Sequence, residues 1–231
     1  MTERSSTFQE AWNRFREAET LRLLQETLEW EWTRGRKEYA AFLVEIEDPG
    51  ARAHIAGVID RIKDIPGVDP YPDTYWHITV KGLGFVVDEP RQADELSPRQ
   101  VAHLGAQARQ VIEDAGPFSV TIGPVSGFPE VVMLEVHDDG AVAAMNAGLT
   151  RTLTEAPVYG VDGVTFLPHI SIARFSSRLG LDQLKQTLMA LRDEQAAGPS
   201  FIVGEVRLIQ AHLAEAAPTF DTLASYKLRD S

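Results

Sequence analysis

The sequence predicts an α+β fold of two lobes, built from duplicated strand–helix–strand units whose antiparallel sheets face a central cleft. Three observations predict it. Segments of β-type residues alternate along the chain with segments whose apolar residues recur every three to four positions, the period of an amphipathic helix. The order of these segments repeats: Glu45 to His77 and Glu135 to His169 each run strand, helix, loop, strand. Each copy also ends in a similar tetrapeptide, His77-Ile78-Thr79-Val80 in the first and His169-Ile170-Ser171-Ile172 in the second.

Taken in order, residues 1–38 form an N-terminal extension. Phe8, Trp12, Phe15, Leu21, Leu24, Leu28 and Trp32 recur near helical spacing, and three of the four tryptophans (Trp12, Trp30, Trp32) lie here. The expected product is an amphipathic helix docked on the main body, with a dimer contact or a lid as alternatives. Residues 39–231 then form a single bilobal domain, with lobes of about 39–129 and 130–231 and room for strand exchange between them. Tyr39 to Glu47 reads as a strand. Asp48-Pro49 supplies an N-cap and a proline in the first turn of a helix through Ile55, Val58, Ile59 and Ile62. Tyr75 to Val87 is again β-type. Ser97 and Gln100 make a capping box for a helix through Val101, Leu104, Val111 and Ile112, which Gly116 closes before a strand from Phe118 to Ile122. In the second copy, Val131 to Val136 is a strand and Val142, Met145, Leu149 and Leu153 mark a helix. A strand lies within Val164 to Phe175, a helix runs through Leu181, Leu184, Leu188 and Leu191, and strands at Phe201 to Leu213 and Phe220 to Leu228 finish the chain.

Composition narrows the function classes. The 231 residues include 22 Lys and Arg against 34 Asp and Glu, a net charge of −12. Proteins that grip long nucleic acid neutralise phosphates with a basic face, so no long duplex is expected as a partner. One small cationic pocket for a single phosphate remains compatible with that charge. The absence of cysteine excludes disulfides, thiolate metal sites and a cysteine nucleophile. No apolar run reaches membrane-span length, so no membrane partner is expected, and the polar start has no signal-peptide character. A cytoplasmic location is the corresponding expectation.

The two tetrapeptides carry the chemistry. With 6 His and 26 Ser and Thr in the chain, somewhat under one His-x-Ser/Thr triplet is expected by chance, so the triplets gain meaning from their matched places in the repeat. On a strand, residues i and i+2 share a face. His77 and Thr79 therefore point one way, as do His169 and Ser171, while the intervening aliphatics pack. A pseudo-two-fold would bring two imidazoles and two hydroxyls together between the lobes. Imidazole titrates near neutrality and can serve as base in one copy and acid in the other. The hydroxyls can donate to phosphoryl oxygens, where charge develops. A half-buried structural pair is the competing reading of each triplet. Neither histidine has a carboxylate at ligand spacing, so no metal and no cofactor are expected.

The stretch His77-Ile-Thr-Val-Lys-Gly-Leu-Gly84 resembles the first signature of the 2H phosphoesterase superfamily, in its bacterial 2′-5′ RNA ligase-like (LigT-like) branch. Pro168-His-Ile-Ser-Ile-Ala-Arg174 resembles the second. The resemblance implies opening of 2′,3′-cyclic phosphates to 2′-phosphomonoesters without a metal, with reversible 2′-5′ ligation in some members. It implies as partner a nucleotide or an RNA end carrying a cyclic phosphate or a 2′-5′ linkage. Residue by residue, His77 and His169 become the acid–base pair, with His169 taken as the base, and Thr79 and Ser171 the phosphoryl ligands. Arg174 falls where the branch carries an arginine at the phosphate, although strict alternation would turn it away from His169 unless the strand ends or bulges. Phe42 falls where the first strand often supplies an aromatic to stack a base, with a core role as the alternative. From its own spacing, Lys81 at i+4 from His77 is expected to reach the phosphate or to lie in solvent. Three departures from the pattern stand out: Gly82 where a bulky aromatic is common, Ser171 in place of Thr, and the N-terminal extension. Other classes stay open at this level: a phosphodiesterase for a small cyclic nucleotide by-product, a nucleotide sensor without turnover, or a partner-binding role for the Trp-rich segment.

Overall fold

A computed structural model describes residues 7–23, 32–159, 162–163, 166–194, 197–213 and 217–229. The strands are β1 (Glu38–Glu45), β2 (Val68–Pro70), β3 (His77–Val86), β4 (Glu95–Leu96), β5 (Phe118–Phe128), β6 (Val131–His137), β7 (His169–Phe175), β8 (Ser200–Val203), β9 (Glu205–His212) and β10 (Thr219–Lys227). They form one sheet in the order β10-β9-β1-β3-β7-β6-β5-β8, with β2 added to β7 and β4 to β3. The pairings are antiparallel apart from β3–β4. Five helices are described: α1 (Phe8–Glu17), α2 (Pro49–Ile62), α3 (Pro98–Glu113), α4 (Ala141–Thr152) and α5 (Leu181–Glu194). The architecture is the predicted α+β class.

The sheet narrows to one ladder pair, Ile78 opposite Ile170, where β3 meets β7. That pair divides it into a His77 half (β10-β9-β1-β3) and a His169 half (β7-β6-β5-β8). The halves do not follow the chain. Helix α2 leaves β1 in the His77 half yet packs against β7 and α5, whereas α4, from the second repeat, packs against β3 and α3. Strand β5 crosses to the second half, and β9 and β10 return to the first. One apolar core backs both halves, with Val44, Ile78 and Leu134 alongside Ile55, Leu104, Leu149 and Leu188.

The local signals explain the helix starts. Asp48 accepts a hydrogen bond from the Ala51 N–H with Pro49 in the first turn. Ser97 and Gln100 form a reciprocal capping box, as do Thr7 and Glu10 on α1. Gly116 sits at φ 72°, a region open to glycine at little cost. Helix α1 is shorter than its apolar stripe. It ends at Glu17, and beyond it the Arg22 N–H donates to the Pro129 carbonyl at 2.8 Å instead of continuing the helix, while Leu21 still reaches the core. Leu24, Leu28 and Trp30 lie outside the described residues. Strand β8 pairs β5 only over Phe118 to Thr121, and α1 packs against β5 beyond that point, with Phe15 against Gly127. Gly127 thus leaves room for the Phe15 ring on the core face of β5. Phe201 to Leu213, predicted as one strand, is two. They break at Gly204, whose carbonyl accepts from the Leu228 N–H. No described helix is long and apolar enough to cross a membrane.

Candidate active site

In an antiparallel pair, the Ile78–Ile170 register faces His77 to Ser171 and Thr79 to His169. The four polar side chains alternate with buried Ile78, Val80, Ile170 and Ile172, and all four are half-buried. Among the described residues, neither the Thr79 nor the Ser171 hydroxyl has a hydrogen-bond partner. The site is therefore a compact square of two imidazoles and two hydroxyls at the waist of the sheet.

The two imidazoles are held alike. His77 Nδ1 lies 2.5 Å from the Tyr75 carbonyl oxygen, and His169 Nδ1 lies 3.0 Å from that of Leu167. A carbonyl only accepts, so Nδ1 carries the proton in each ring and Nε2 is left with a lone pair. Burial pushes His77 down to about 4; its carbonyl partner opposes this and the nearby His169 adds to it. Burial also lowers His169, against the pull of Leu167. Both rings are thus neutral near pH 7, and an anion bound between them would raise both values by stabilising the imidazolium forms.

Each histidine-bearing strand carries a bulge in the same place. Val80 is the extra residue against β1, where Leu43 pairs Thr79 and Phe42 pairs Lys81. Ile172 is the extra residue against β6, where Met133 pairs Ser171 and Val132 pairs Ala173. A bulge residue offers its carbonyl outside the regular ladder. Asn146 Nδ2 donates to Val80 at 2.8 Å, and the Tyr71 N–H donates to Ile172 at 2.9 Å. The phase shift on β7 brings Arg174 back to the face of Ser171. Arg174 is only 9% exposed. Its Nε and Nη2 lie 3.4 and 3.3 Å from Asp69 Oδ2, its guanidinium sits 5.6 Å from the Tyr71 ring, and its buried Nη1 has no partner among the described residues.

A hydrogen-bond donor group buried without a partner beside two hydroxyls and two imidazoles suits an anion. Comparison with known proteins gives the family. A family model for the 2′-5′ RNA ligase superfamily matches residues 48–215. The chain belongs to that superfamily. The fold matches TT0787 of Thermus thermophilus at 17% identity and TM-score 0.59, covering 84% of this chain and 99% of that one. It matches E. coli LigT complexed with 3′-AMP at 16% identity and TM-score 0.60, with the same coverage. A conserved protein of unknown function from Agrobacterium tumefaciens matches at 12% identity and TM-score 0.57, covering 91% and 97%. No curated protein matches by sequence.

Two residues expected at this superfamily site lie elsewhere. Lys81 is not at the phosphate: the Val80 bulge turns it to the opposite face, where it is fully buried and its Nζ lies 2.7 Å from Asp162 Oδ2. Asp162 also accepts from Asn146 Nδ2 and the Tyr159 N–H, so this charge is spent inside the fold. Phe42 is not a base platform, because it too faces the core, is 0% exposed and packs 5.9 Å from the Tyr226 ring. The aromatics beside the histidines are others. Phe220 stands edge-on to His77 at 5.1 Å and 89°, and Phe128 edge-on to His169 at 5.1 Å and 81°. Tyr75 flanks His77 on another side at 5.0 Å. Nothing local in the sequence marks Phe128 or Phe220, because neither is near its histidine along the chain. Among the described residues, no group of three His, Asp or Glu side chains gathers as metal ligands.

Proposed function

We propose that this chain is a phosphoesterase that opens 2′,3′-cyclic phosphates at RNA or nucleotide ends to 2′-phosphomonoesters, and that the same site joins such an end to a 5′-hydroxyl through a 2′-5′ bond. The observation that carries the reading is the Ile78–Ile170 pair, which sets two His-x-hydroxyl triplets face to face around one position. One Nε2 accepts the proton of an attacking water, or of a 5′-hydroxyl, as the new P–O bond forms. On the opposite side of phosphorus the P–O3′ bond breaks, and the other imidazole, protonated, gives its proton to O3′. Thr79, Ser171 and Arg174 Nη1 hold the non-bridging oxygens, on which negative charge builds. Both proton transfers run through imidazole, so the reaction as drawn requires no ion.

The superfamily membership supports this chemistry, and the complex of the LigT neighbour with 3′-AMP supports a ribonucleotide as the ligand class. Incubation with 2′,3′-cyclic AMP in EDTA is expected to yield 2′-AMP, and the product should vanish in both His77→Ala and His169→Ala. Formation of 3′-AMP would refute the assigned bond cleavage. Binding without turnover would instead make the protein a nucleotide sensor.

A further inference from the structure

The aromatic flanks of the two histidines are not a by-product of the duplication. Strand order pairs the halves as β3 with β7, β1 with β6, β9 with β5 and β10 with β8. Phe220 stands on β10, opposite Ala211 of β9, whereas Phe128 ends β5, opposite Val131 of β6. They occupy non-equivalent strands, yet each ends at 5.1 Å from its histidine, edge-on. In each half the Phe lies at the far end of its strand from the histidine: Ala211 pairs Tyr39 at one end of β1, while His77 pairs Glu45 at the other. Twist carries diagonal corners of a sheet to the same side. The same diagonal closure happens twice, from different strands. Each phenylalanine is half-buried, and Phe220 is backed by Tyr75, whose ring lies 5.5 Å away and which itself stacks on Tyr71 at 4.0 Å.

We propose that Phe220 and Phe128 are two nucleobase platforms, one on each side of the phosphate, and that the substrate therefore carries a base on both sides of the reacting phosphodiester. This rests on the phosphoesterase reading above and narrows it from cyclic mononucleotides to strand ends and 2′-5′-linked dinucleotides. A planar half-buried ring next to each acid–base group gives a base an apolar face within one nucleoside's reach of phosphorus. Stacking of this kind tolerates any base. The net charge of −12 disfavours a long backbone-tracking groove, so two bases would supply affinity that phosphates do not.

The test is calorimetric binding of adenylyl-2′,5′-adenosine and of its two half-abasic analogues, in EDTA, with product analysis in parallel. Wild type should bind the full dinucleotide at least about tenfold tighter than either analogue. Phe220→Leu and Phe128→Leu should each lose about tenfold on the full dinucleotide. Each should also lose less than twofold on one analogue, a different one for each variant. Equal losses on all three ligands would mean that the rings only position the imidazoles, and would overturn the proposal while leaving the phosphoesterase reading intact. Ring-dependent binding with no product would keep the platforms and overturn only the 2′-5′ joining, because opening of a cyclic phosphate is read separately with 2′,3′-cyclic AMP. No binding of any ligand would overturn the platforms, with turnover of 2′,3′-cyclic AMP deciding the phosphoesterase reading on its own. Should a leucine variant not fold, Phe→Trp at the same position decides: a larger platform must tighten the dinucleotide more than the analogue lacking its base.

Discussion

The two histidine-bearing strands differ at one matched position. Both bulge three residues after the histidine, and both return a residue to the cleft face five residues after it. On β7 that residue is Arg174, with a buried Nη1 lacking a protein partner among the described residues. On β3 it is Gly82, and a Cβ there would collide with the Tyr39 hydroxyl and crowd the Tyr159 ring. The duplicated backbone thus offers two matched corners of the cleft and the sequence fills one with a cation, the other with tyrosines. The cation one position earlier, Lys81, is consumed in the core. The phosphate is therefore expected to be held asymmetrically, from the Arg174 side, although the acid–base pair is symmetric.

Substitutions at five positions sharpen or break that contrast. The largest effect belongs to the symmetric part. His77→Ala and His169→Ala should each reduce kcat/KM by about 10²–10⁴-fold, by comparable amounts, in steady-state assays with a 2′,3′-cyclic nucleotide. A loss confined to one of them would leave the other as mere packing. Next comes Lys81→Met, which strands Asp162 in the core and should cost about 3–5 kcal/mol in denaturant unfolding, with Lys81→Met/Asp162→Asn recovering most of it. Turnover per folded molecule should hold, and a specific loss of turnover would return Lys81 to the phosphate. Arg174→Ala should then cost about tenfold to a hundredfold in kcat/KM, the worth of charged hydrogen bonds, and Arg174→Lys should restore only part. Smallest is Gly82→Ala, expected to destabilise by about 1–3 kcal/mol through overpacking. Tyr39→Phe in the same chain should relieve it, because it removes the atom that the new Cβ meets.

Much of this is legible in the sequence alone. The duplication, the caps at Asp48 and Ser97 and the strands bearing the histidines follow from period and end signals, which are local. The matched pairs His77/Thr79 and His169/Ser171 needed only the two-residue alternation of a strand. What failed, or stayed conditional, lies just past each bulge. One extra residue inverts every later side chain on a strand, and no residue type in Thr79-Val80-Lys81 or Ser171-Ile172-Ala173 announces it. Lys81 is misplaced for that reason, whereas Phe42 is assigned from the resemblance alone and ordinary alternation on β1, opposite in face to Leu43, already turns it into the core. The bulge that Arg174 required is present at Ile172. Phe128 and Phe220 reach the histidines through the coil of the sheet, a tertiary effect without local trace.

The central claim is that two half-buried imidazoles share opposite proton transfers across one phosphate, and the pH dependence of kcat/KM tests it most directly. One ring must be protonated and the other neutral, and kcat/KM reports the free enzyme. Burial lowers both rings below their ordinary value, His77 to about 4. The account therefore predicts a bell with both limbs below about pH 6.5, the ordinary imidazole value, rising near pH 4. A rate that climbs steadily into the alkaline range would contradict it, because no imidazole would then be acting as the acid.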